Sequence, residues 1–508
     1  MALEIEDKFD VPVDFQVPEL SGVRGCGEAA GPKSHQLVAI YFDTADLRLA
    51  ARGITLRRRR GGADPGWHLK LPKAKGVRQE ITHPLTRSTK IVPAALAGLV
   101  QAYTRGAELI PVAELDTRRS VTVLHDVAGN AAVEVADDRV KGTVFGEEPR
   151  IERWREVEAE LIGATDLAVL RRVGKRLRKA GAAPATSASK LARLLNGTAP
   201  KAAPKAAPRP VAVPGSAGEV VLDYLTAQVT ALLAQDPRVR QAGDDAVHQM
   251  RVACRRLRSA LKAFKSIVAA NSEVAAIQGE LQWLGNELGT ARDLEVIRAR
   301  FARHFAALPD ALVVGPITDR LGDDLLVKER AAYEQIRQTL SDQRYFDLLD
   351  ALDALLAAPA FTKQAKRPAD APLAAVAERE WRRVTDAYDV AQAKPDEDER
   401  EIAMHDVRKA AKRARYTAEV LGMRELAKIA EEVQETLGTY QDGVVTQELL
   451  AHEAENARLA GEDTFTYGVL TGLERATGER AHVAFPDVWT RTTTAARAFF
   501  DGRRDPAS

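Results

Sequence analysis

The sequence has few cysteines, almost no net charge and no long apolar run, and each of these features excludes a class of protein. Two cysteines, Cys26 and Cys254, cannot form a disulfide framework or a cysteine-rich zinc site. A formal net charge of only +1 excludes a uniformly basic coat for nucleic acid. Apolar runs fall short of the roughly 20 residues that span a membrane, and the acidic start has no signal-peptide pattern. We therefore expect a soluble, cytoplasmic protein.

Two domains joined by a linker account for the composition along the chain. The chain is 45% hydrophobic and 29% charged, a balance typical of globular domains. Its 508 residues are too many for a single hydrophobic core. Residues 197–215 repeat Pro and Ala with few large apolar side chains, which predicts a semi-extended linker. This places one domain at 1–196 and another at 216–504.

The two halves differ in charge as well as in pattern. Residues 1–200 contain 31 Lys and Arg against 25 Asp and Glu, a net charge of +6. Residues 211–508 contain 39 basic against 47 acidic residues, a net charge of −8. Any cluster of basic residues in the acidic second half therefore stands out against its surroundings.

The first half alternates with a period of two, which is typical of β-strands. One face of strand after strand is charged, as in Glu4, Glu6 and Lys8, or in Arg57 and Arg59. A solvated face is the ordinary explanation for any single strand. The whole set, with paired carboxylates on some strands and paired basic residues on others, favours a closed antiparallel barrel with a polar lumen. Clustered carboxylates need a cation such as Mg²⁺ or Mn²⁺, and Arg suits phosphate oxygens.

The motifs of the first half resemble the CYTH, or triphosphate tunnel metalloenzyme, family. The ExExK start at Glu4 is accompanied, in the expected order, by these segments: Leu56-Arg57-Arg58-Arg59, Leu69-Lys70-Leu71-Pro72, Arg78-x-Glu80, Thr117-Arg118-Arg119, Glu134-x-x-x-Asp138, Glu156-x-Glu158 and Ser189-Lys190. The resemblance implies an eight-stranded antiparallel barrel, helices beside it, and an enzyme that acts on triphosphates with a divalent metal.

The same resemblance implies a set of site residues. The catalytic residues would be Glu4, Glu6 and Lys8, at the start of the sequence. The metal ligands would be Glu4, Glu6, Glu134, Asp138, Glu156 and Glu158. The phosphates would be bound by Arg57, Arg59, Lys70, Arg78, Arg119 and Lys190. The motif leaves Arg118 and Arg119 as alternatives, and the spacing to the next strand favours Arg119.

The second half has helical periodicity and contains a repeat. The segment from His248 to Arg258 matches the segment from His405 to Arg415, with the His and the basic residues at the same offsets. On a helical wheel a cationic stripe lies beside an apolar face. It is formed by Arg251, Arg255, Arg258, Lys262 and Lys265 beside His248, and in the second copy by His405, Arg408, Lys412 and Arg415. A solvated face would explain one such helix, but the repetition favours an anion-binding role. The stripes lack the interleaved aromatic residues that single-stranded nucleic acid requires, so nucleic acid is an unlikely partner.

The repeat resembles the CHAD, or conserved histidine α-helical, domain. The resemblance implies two pseudo-symmetric four-helix bundles that bind inorganic polyphosphate. The binding residues would be His248, Arg251, Arg255, Arg256, Arg258, Lys262, His405, Arg408, Lys412, Arg413 and Arg415.

The sequence therefore leads to one hypothesis and two alternatives. The hypothesis is a hydrolase of inorganic triphosphate or short polyphosphate that uses Mg²⁺ or Mn²⁺ and binds polyphosphate through its second half. A polyphosphate-binding protein of polyphosphate granules, without turnover, is one alternative. An organic-triphosphate enzyme, such as a thiamine triphosphatase or an adenylyl cyclase, is the other.

Overall fold

A computed structural model describes residues 2–74, 77–162, 167–187, 189–195 and 212–504. The chain divides into two compact units, Met1–Lys205 and Ala206–Ser508. The division falls inside the predicted linker 197–215, most of which lies outside the described residues. Among the described residues, no helix is long and apolar enough to cross a membrane.

A closed antiparallel barrel forms the first unit, as the sequence predicts. Its strands are β1 (Ala2–Asp10), β2 (Ala29–Asp43), β3 (Thr55–Arg60), β4 (Gly66–Ala74), β5 (Val77–His83), β6 (Ile110–His125), β7 (Ala131–Val144) and β8 (Arg150–Leu161). They follow the order β5-β4-β3-β2-β6-β7-β8-β1, and β1 pairs with β5 to close the sheet. A two-residue strand, β9 (Ala183–Pro184), pairs with Phe9 and Asp10 at the end of β1.

Four short helices cover the barrel: α1 (Ala94–Ala97), α2 (Gln101–Thr104), α3 (Leu167–Lys179) and α4 (Lys190–Leu195). The α3 helix packs Val169, Val173 and Leu177 on the outside of β7 and β8. The α4 helix inserts Leu191 and Leu194 among inward-facing barrel residues. Apolar packing at α4 therefore positions its first residue, Lys190, beside the lumen.

The second unit is helical, also as predicted. Its helices are α5 (Ala217–Arg240), α6 (Ala246–Ala263), α7 (Ser272–Ala307), α8 (Ile317–Asp319), α9 (Leu325–Thr339), α10 (Gln343–Ala357), α11 (Asp370–Gln392), α12 (Glu397–Val420), α13 (Arg424–Leu459) and α14 (Phe465–Arg504).

The helical repeat is visible in the order and length of these elements. The series α5, α6, α7 is echoed by α11, α12, α13, and α7 and α13 both contain 36 residues. The long α14 corresponds to a broken run in the first repeat, where a π-helical turn at Arg320–Asp324 joins α8 to α9. The first repeat also has an additional helix, α10, which packs on α5 and α7.

Candidate functional site

Strand register gathers the inward-facing carboxylates of the barrel on three neighbouring strands. Alternate residues of a strand face the same side, so β7, β8 and β1 present their charged residues in rows. Glu134 lies opposite Glu160, which lies opposite Glu6. In the adjacent rows Glu158 lies opposite Lys8, and Asp138 lies opposite Glu156. One side of the wall is therefore acidic, with Lys8 among the carboxylates.

Strands β3 to β6 supply most of the cationic side chains of the barrel lumen. Arg57 and Arg59 of β3, Lys70 of β4, Arg78 of β5 and Arg119 of β6 all line a cavity of about 330 Å³. The sequence-predicted phosphate residues are thus brought together, and Lys190 joins them from α4. Glu6, Lys8, Glu134 and Glu158 line the same cavity. The structure places cations and carboxylates around one space of a size suited to a few phosphate groups.

Lys190 is the centre of the acidic side. Its Nζ lies 2.9 Å from Asp138 Oδ2, 2.8 Å from Glu156 Oε1 and 2.7 Å from Glu158 Oε1. Burial alone would lower the pKa of Lys190, but the three carboxylates outweigh it and hold that pKa well above its usual value. Conversely, burial would raise the pKa of Glu158, but Lys190, Lys8 and Arg119 hold it well below its usual range. These groups therefore stay charged together.

Arg119 completes this network and, unlike the adjacent Arg118, lines the lumen. Its Nε and Nη2 donate to the two oxygens of Asp138 at 2.8 and 2.6 Å, and Nη2 also donates to Glu158 Oε2 at 2.6 Å. Asp138 is fully buried, and Lys190 and Arg119 lower its pKa against the effect of burial. Arg118 points away from the lumen and is exposed. The interpretation that favours Arg119 agrees with this geometry.

Three of the predicted metal ligands fit an oxygen-coordinated cation. Asp138, Glu156 and Glu158 offer carboxylate oxygens that lie within 4.8 Å of one another, the ligand type that Mg²⁺ and Mn²⁺ prefer. The contacts of Lys190 with all three mean that a divalent ion would compete with its ammonium group for these oxygens. Trp154 holds Glu156 in place, since its Nε1 donates to Glu156 Oε2 at 2.6 Å.

Glu6 and Glu134 lie at the edge of this cluster. Glu6 Oε2 is 2.9 Å from Lys8 Nζ, and Glu6 Oε1 is 4.0 Å from Arg78. Lys8 also forms an ion pair with Glu158, and Glu134 lies 4.0 Å from Arg119. The backbone of Glu4 pairs with that of Arg78, but the side chain of Glu4 lies outside the part of the structure that is described.

Sequence reasoning missed Asp64, which enters the cavity from the β3–β4 turn. Its carboxylate forms an ion pair with Arg59, and its carbonyl accepts from Arg59 Nη2 at 3.2 Å. Gly61 and Gly62, with φ of 79° and 75°, allow the turn to bend back toward the lumen. The Asp64 carboxylate is thus paired with the guanidinium of Arg59, which the sequence analysis assigns to phosphate binding. The pair Gly61-Gly62 signals a turn, but nothing in the sequence shows which way it folds.

Behind this turn, His68 is buried rather than open to the cavity. Its Nδ1 lies 2.9 Å from Glu80 Oε1, and its Nε2 lies 3.1 Å from the carbonyl of Asp64. Glu80 does line the cavity. Burial would raise the pKa of Glu80, but His68, Lys70 and Arg57 lower it to about 2. His68 therefore supports Glu80 and the Asp64 turn instead of contacting the cavity itself.

In the helical unit, a second sequence echo explains how the stripe arginines are held: Leu288-Gly289-Thr290 with Asp293 is repeated as Leu437-Gly438-Thr439 with Asp442. Arg251 of α6 reaches the Gly289 carbonyl at 3.4 Å and Asp293 Oδ1 at 3.1 Å on α7. Arg408 of α12 contacts the equivalent Asp442 at 3.4 Å on α13. A Cβ at Gly438 would lie 2.9 Å from the Arg408 guanidinium. The repeated Leu-Gly-Thr and Asp therefore belong to the packing of each stripe on the next helix.

The two stripes approach one another around one aromatic ring. The guanidinium carbons of Arg255, Arg256 and Arg415 lie 5.7, 5.7 and 5.8 Å from the centroid of Tyr416. Burial lowers the pKa of Lys412 to about 8, and the neighbouring Arg408 and Arg255 add to this effect. In the part of the chain that the structure describes, neither Arg255 nor Lys412 forms an ion pair.

The remaining stripe residues differ in their surroundings. Arg256 and Arg415 both bind Glu419, at 2.7 and 3.0 Å. Arg413 turns to the other side of α12, where it lies 2.6 Å from the buried Glu380 of α11, so its charge is compensated inside the bundle. Arg258 donates to Gln282 at 2.9 Å.

Lys262 and the two stripe histidines are less constrained. Lys262 is exposed, and His405 contacts Gln441 at 2.9 Å. Burial and Arg292 lower the pKa of His248, so this imidazole is neutral at neutral pH.

Known proteins are similar to the chain along its whole length. The CYTH domain family matches residues 2–193 and the CHAD domain family matches residues 223–451. Two uncharacterized proteins of Mycobacterium tuberculosis, one from strain CDC 1551 / Oshkosh and one from strain ATCC 25618 / H37Rv, are each 39% identical over 490 residues. The match covers 94% of this chain and 94% of each relative.

Two solved structures are each similar to about half of the chain. PptA from Streptomyces chartreusis is 22% identical, with 54% of this chain and 99% of that chain covered at a TM-score of 0.45. The CHAD domain from the plant Ricinus communis is 24% identical, with 55% of this chain and 92% of that chain covered at a TM-score of 0.44.

Proposed function

The chain belongs to the family of proteins that join a CYTH domain to a CHAD domain, and we propose that it hydrolyses inorganic triphosphate or short polyphosphate with a divalent metal. The observation that carries this proposal is the cavity in the barrel, where Arg57, Arg59, Lys70 and Arg78 face a carboxylate cluster across a space of about 330 Å³. Phosphoanhydride hydrolysis needs both kinds of group, because charge must be neutralised on the phosphoryl that is transferred.

Each part of the cavity has a role in this proposal. The guanidinium and ammonium groups would hold the non-bridging phosphate oxygens, Arg groups in bidentate fashion. Asp138, Glu156 and Glu158 would hold Mg²⁺ or Mn²⁺, with Glu6 and Glu134 beside them. The metal would supply further charge neutralisation and a more acidic bound water.

The cavity lining favours an inorganic substrate over a nucleotide or thiamine compound. Among the described lining residues Tyr41 is the only aromatic one, and its hydroxyl accepts from Arg57 Nη1 at 3.4 Å. Burial would raise the pKa of Tyr41, but Arg57 and the neighbouring lysines outweigh it and lower that pKa. The ring is thus part of the charged network rather than a free stacking surface for a base.

We also propose that the helical unit binds inorganic polyphosphate along the two stripes of α6 and α12. The observation in support is that Arg255 and Lys412, which lie close enough for their charges to interact, have no ion pair among the described residues. A polyanion would offset this repulsion. A chain with this property would accumulate on polyphosphate granules in the cell.

Phosphate release across a substrate panel tests the proposed activity. Triphosphate, longer polyphosphates, ATP and thiamine triphosphate would each be assayed with Mg²⁺, with Mn²⁺ and with a chelator. We expect metal-dependent release from triphosphate, and a loss of about 10²-fold or more in Glu158→Gln, by analogy with removal of one electrostatic group from an active site. Glu147→Gln, which changes an exposed carboxylate in the β7–β8 turn, is the control.

The other outcomes identify the alternatives. Preference for ATP or thiamine triphosphate would indicate an organic-triphosphate enzyme. No turnover of any compound, with polyphosphate binding retained, would indicate a binding protein.

A further inference from the structure

The outer wall of the barrel carries a group of basic side chains that takes no part in the lumen. Outward-facing Arg118 of β6 lies directly opposite Arg139 of β7, which lies opposite Arg155 of β8. In the next outward row Lys141 of β7 lies opposite Arg153 of β8. Arg118, Arg139, Lys141 and Arg153 are all exposed; we call these four residues the outer basic patch.

The outer basic patch begins at the point along β7 where α3 no longer covers the outside of the barrel. Along β7, the outward residues Val133 and Val135 are buried in the cluster that includes α3. Beyond α3 the outward residues change to Asp137, Arg139 and Lys141. Asp137 binds Arg155 through two hydrogen bonds of 2.8 and 2.7 Å, so the charge of Arg155 is compensated. The wall that α3 leaves uncovered is therefore basic instead of apolar.

Among the described residues, one carboxylate lies beside the outer basic patch: Asp116 of β6 is directly opposite Lys141. In the described part of the chain, none of the four residues forms an ion pair or a side-chain hydrogen bond. They line a hollow of about 360 Å³ with Asp116 as its one carboxylate, and Asp116 accepts a hydrogen bond from Gln36. Like charges directly opposite one another on neighbouring strands destabilise a sheet. An anion that lies across such an arrangement would offset this repulsion.

We propose that the outer basic patch binds a condensed phosphate chain at a site separate from the barrel lumen. Neighbouring strands are about 4.8 Å apart and alternate residues of one strand about 7 Å apart. The cations therefore form a close grid, and a matching ligand must carry closely spaced negative charges. A phosphoanhydride chain carries a charge on every phosphate, and guanidinium groups bind phosphate oxygens in bidentate fashion.

A single-stranded nucleic acid fits this hollow less well. Trp154 is the only aromatic among the described residues that line it, and its ring is buried and packs with inward-facing residues. Bases would find no stacking surface there. The ligand class is the one in the proposed function, but the residues are different, so the two ideas can fail independently.

A fluorophore beside the patch allows binding to be read locally in the full chain. Val13 is 82% exposed and lines the hollow, while both native cysteines are buried. A label on Val13→Cys would be titrated with long-chain inorganic polyphosphate in the presence of a chelator, which prevents metal-dependent turnover. We expect a saturable signal whose midpoint rises at least about tenfold in Arg139→Gln/Arg153→Gln, as removal of two charge-assisted contacts predicts.

Matched controls separate this site from other exposed basic residues of the barrel and from the lumen. A label on Val127→Cys, which is 87% exposed in the β6–β7 turn, should not report the Arg139→Gln/Arg153→Gln change. Arg87→Gln/Lys90→Gln removes two exposed charges after β5 and should leave the Val13 signal unchanged. Triphosphate hydrolysis should be the same in all these variants.

Three results would overturn the proposal. One is a Val13 label that does not respond to polyphosphate, and another is an unchanged midpoint in Arg139→Gln/Arg153→Gln. The third is an equal or stronger response to single-stranded DNA or to polyglutamate, which would assign the patch to another class of polyanion.

Discussion

The barrel and the helical unit arrange many like charges in opposite ways. In the barrel, Lys190 and Arg119 are surrounded by buried carboxylates within 3 Å, and each charge holds the next in place. In the helical unit, the basic residues form half-exposed stripes, and Arg255 and Lys412 have no ion pair among the described residues. A compensated network is rigid and prepared for one small ligand in one position. Cations without an ion pair, such as Arg255 and Lys412, gain stability from any long polyanion that covers them.

Removal of the central ammonium should produce the largest change. Lys190→Met would leave Asp138, Glu156 and Glu158 buried with one cation fewer, and we expect the barrel to lose about 3–5 kcal/mol of unfolding free energy. Calorimetry of the full chain should show the unfolding transition of the barrel at a lower temperature and that of the helical unit unchanged. Lys33→Met, at an exposed lysine of β2, is the control.

The pH dependence gives the same variant a second, independent readout. In the wild type, Asp138 and Glu158 have lowered pKa values, so their contribution is complete above about pH 4 and is lost on acidification. In Lys190→Met these pKa values should rise. The variant should therefore gain stability between pH 7 and pH 5, and Mg²⁺ should stabilise it more than the wild type. A variant with wild-type stability would contradict the compensated network.

The sequence predicted the lumen well because its information is local. A period of two places Arg57 and Arg59 on one face of their strand, and Glu156 and Glu158 on one face of theirs. The family resemblance then assigned these residues and Lys70 to the lumen. It could not predict Asp64, because the direction of the turn depends on tertiary contacts with Arg59 and His68. His68 has the strand parity of Lys70 and yet is buried behind Glu80.

The stripes were predicted less completely for a similar reason. Helical spacing turns Arg413 away from the arc of Arg408, Lys412 and Arg415, but its partner, Glu380, lies on another helix and could not be identified from the sequence. Likewise the sequence echo at Gly289 and Gly438 was visible, but its role in seating Arg251 and Arg408 depends on how the helices pack. Pairings over long sequence separations are not encoded in the local period.

Charge reversal at Arg255 and Lys412 should produce the next largest effect, a loss of polyphosphate affinity. We expect Arg255→Glu/Lys412→Glu to weaken polyphosphate binding about 100-fold at low salt, and the difference should shrink as salt rises. Lys409→Glu, at an exposed lysine that pairs with Asp406 on the same helix, is the matched control. Equal affinities for all three proteins would return the stripes to ordinary solvated helix faces.

The pKa of Lys412 predicts a smaller change with pH. Its pKa is about 8 in the free protein, and a bound polyanion would raise it. Affinity should therefore be greatest below pH 8 and fall as the pH rises to 9.5, by about tenfold for each unit by which the polyanion raises this pKa. Lys412→Arg should remove this step, whereas Lys409→Arg should keep it. A step of the same size in Lys412→Arg would assign the titration to another group.

The smallest expected effect concerns Asp64 at the cavity. If its carboxylate competes with phosphate for Arg59, Asp64→Asn should lower KM for triphosphate about two- to fivefold, the range for a partly exposed ion pair, with kcat nearly unchanged. Glu147→Gln should change neither constant. A raised KM would instead indicate that Asp64 positions Arg59 for the substrate.

The contrast between the two units is tested most directly by measuring hydrolysis and polyphosphate binding in one barrel variant and one helical variant. Glu158→Gln and Arg255→Glu/Lys412→Glu would each be assayed in the full chain for triphosphate hydrolysis with Mg²⁺ and for polyphosphate binding in the presence of a chelator. We predict that Glu158→Gln loses hydrolysis and keeps binding, while Arg255→Glu/Lys412→Glu loses binding and keeps hydrolysis. Loss of both properties in either folded variant would contradict the account.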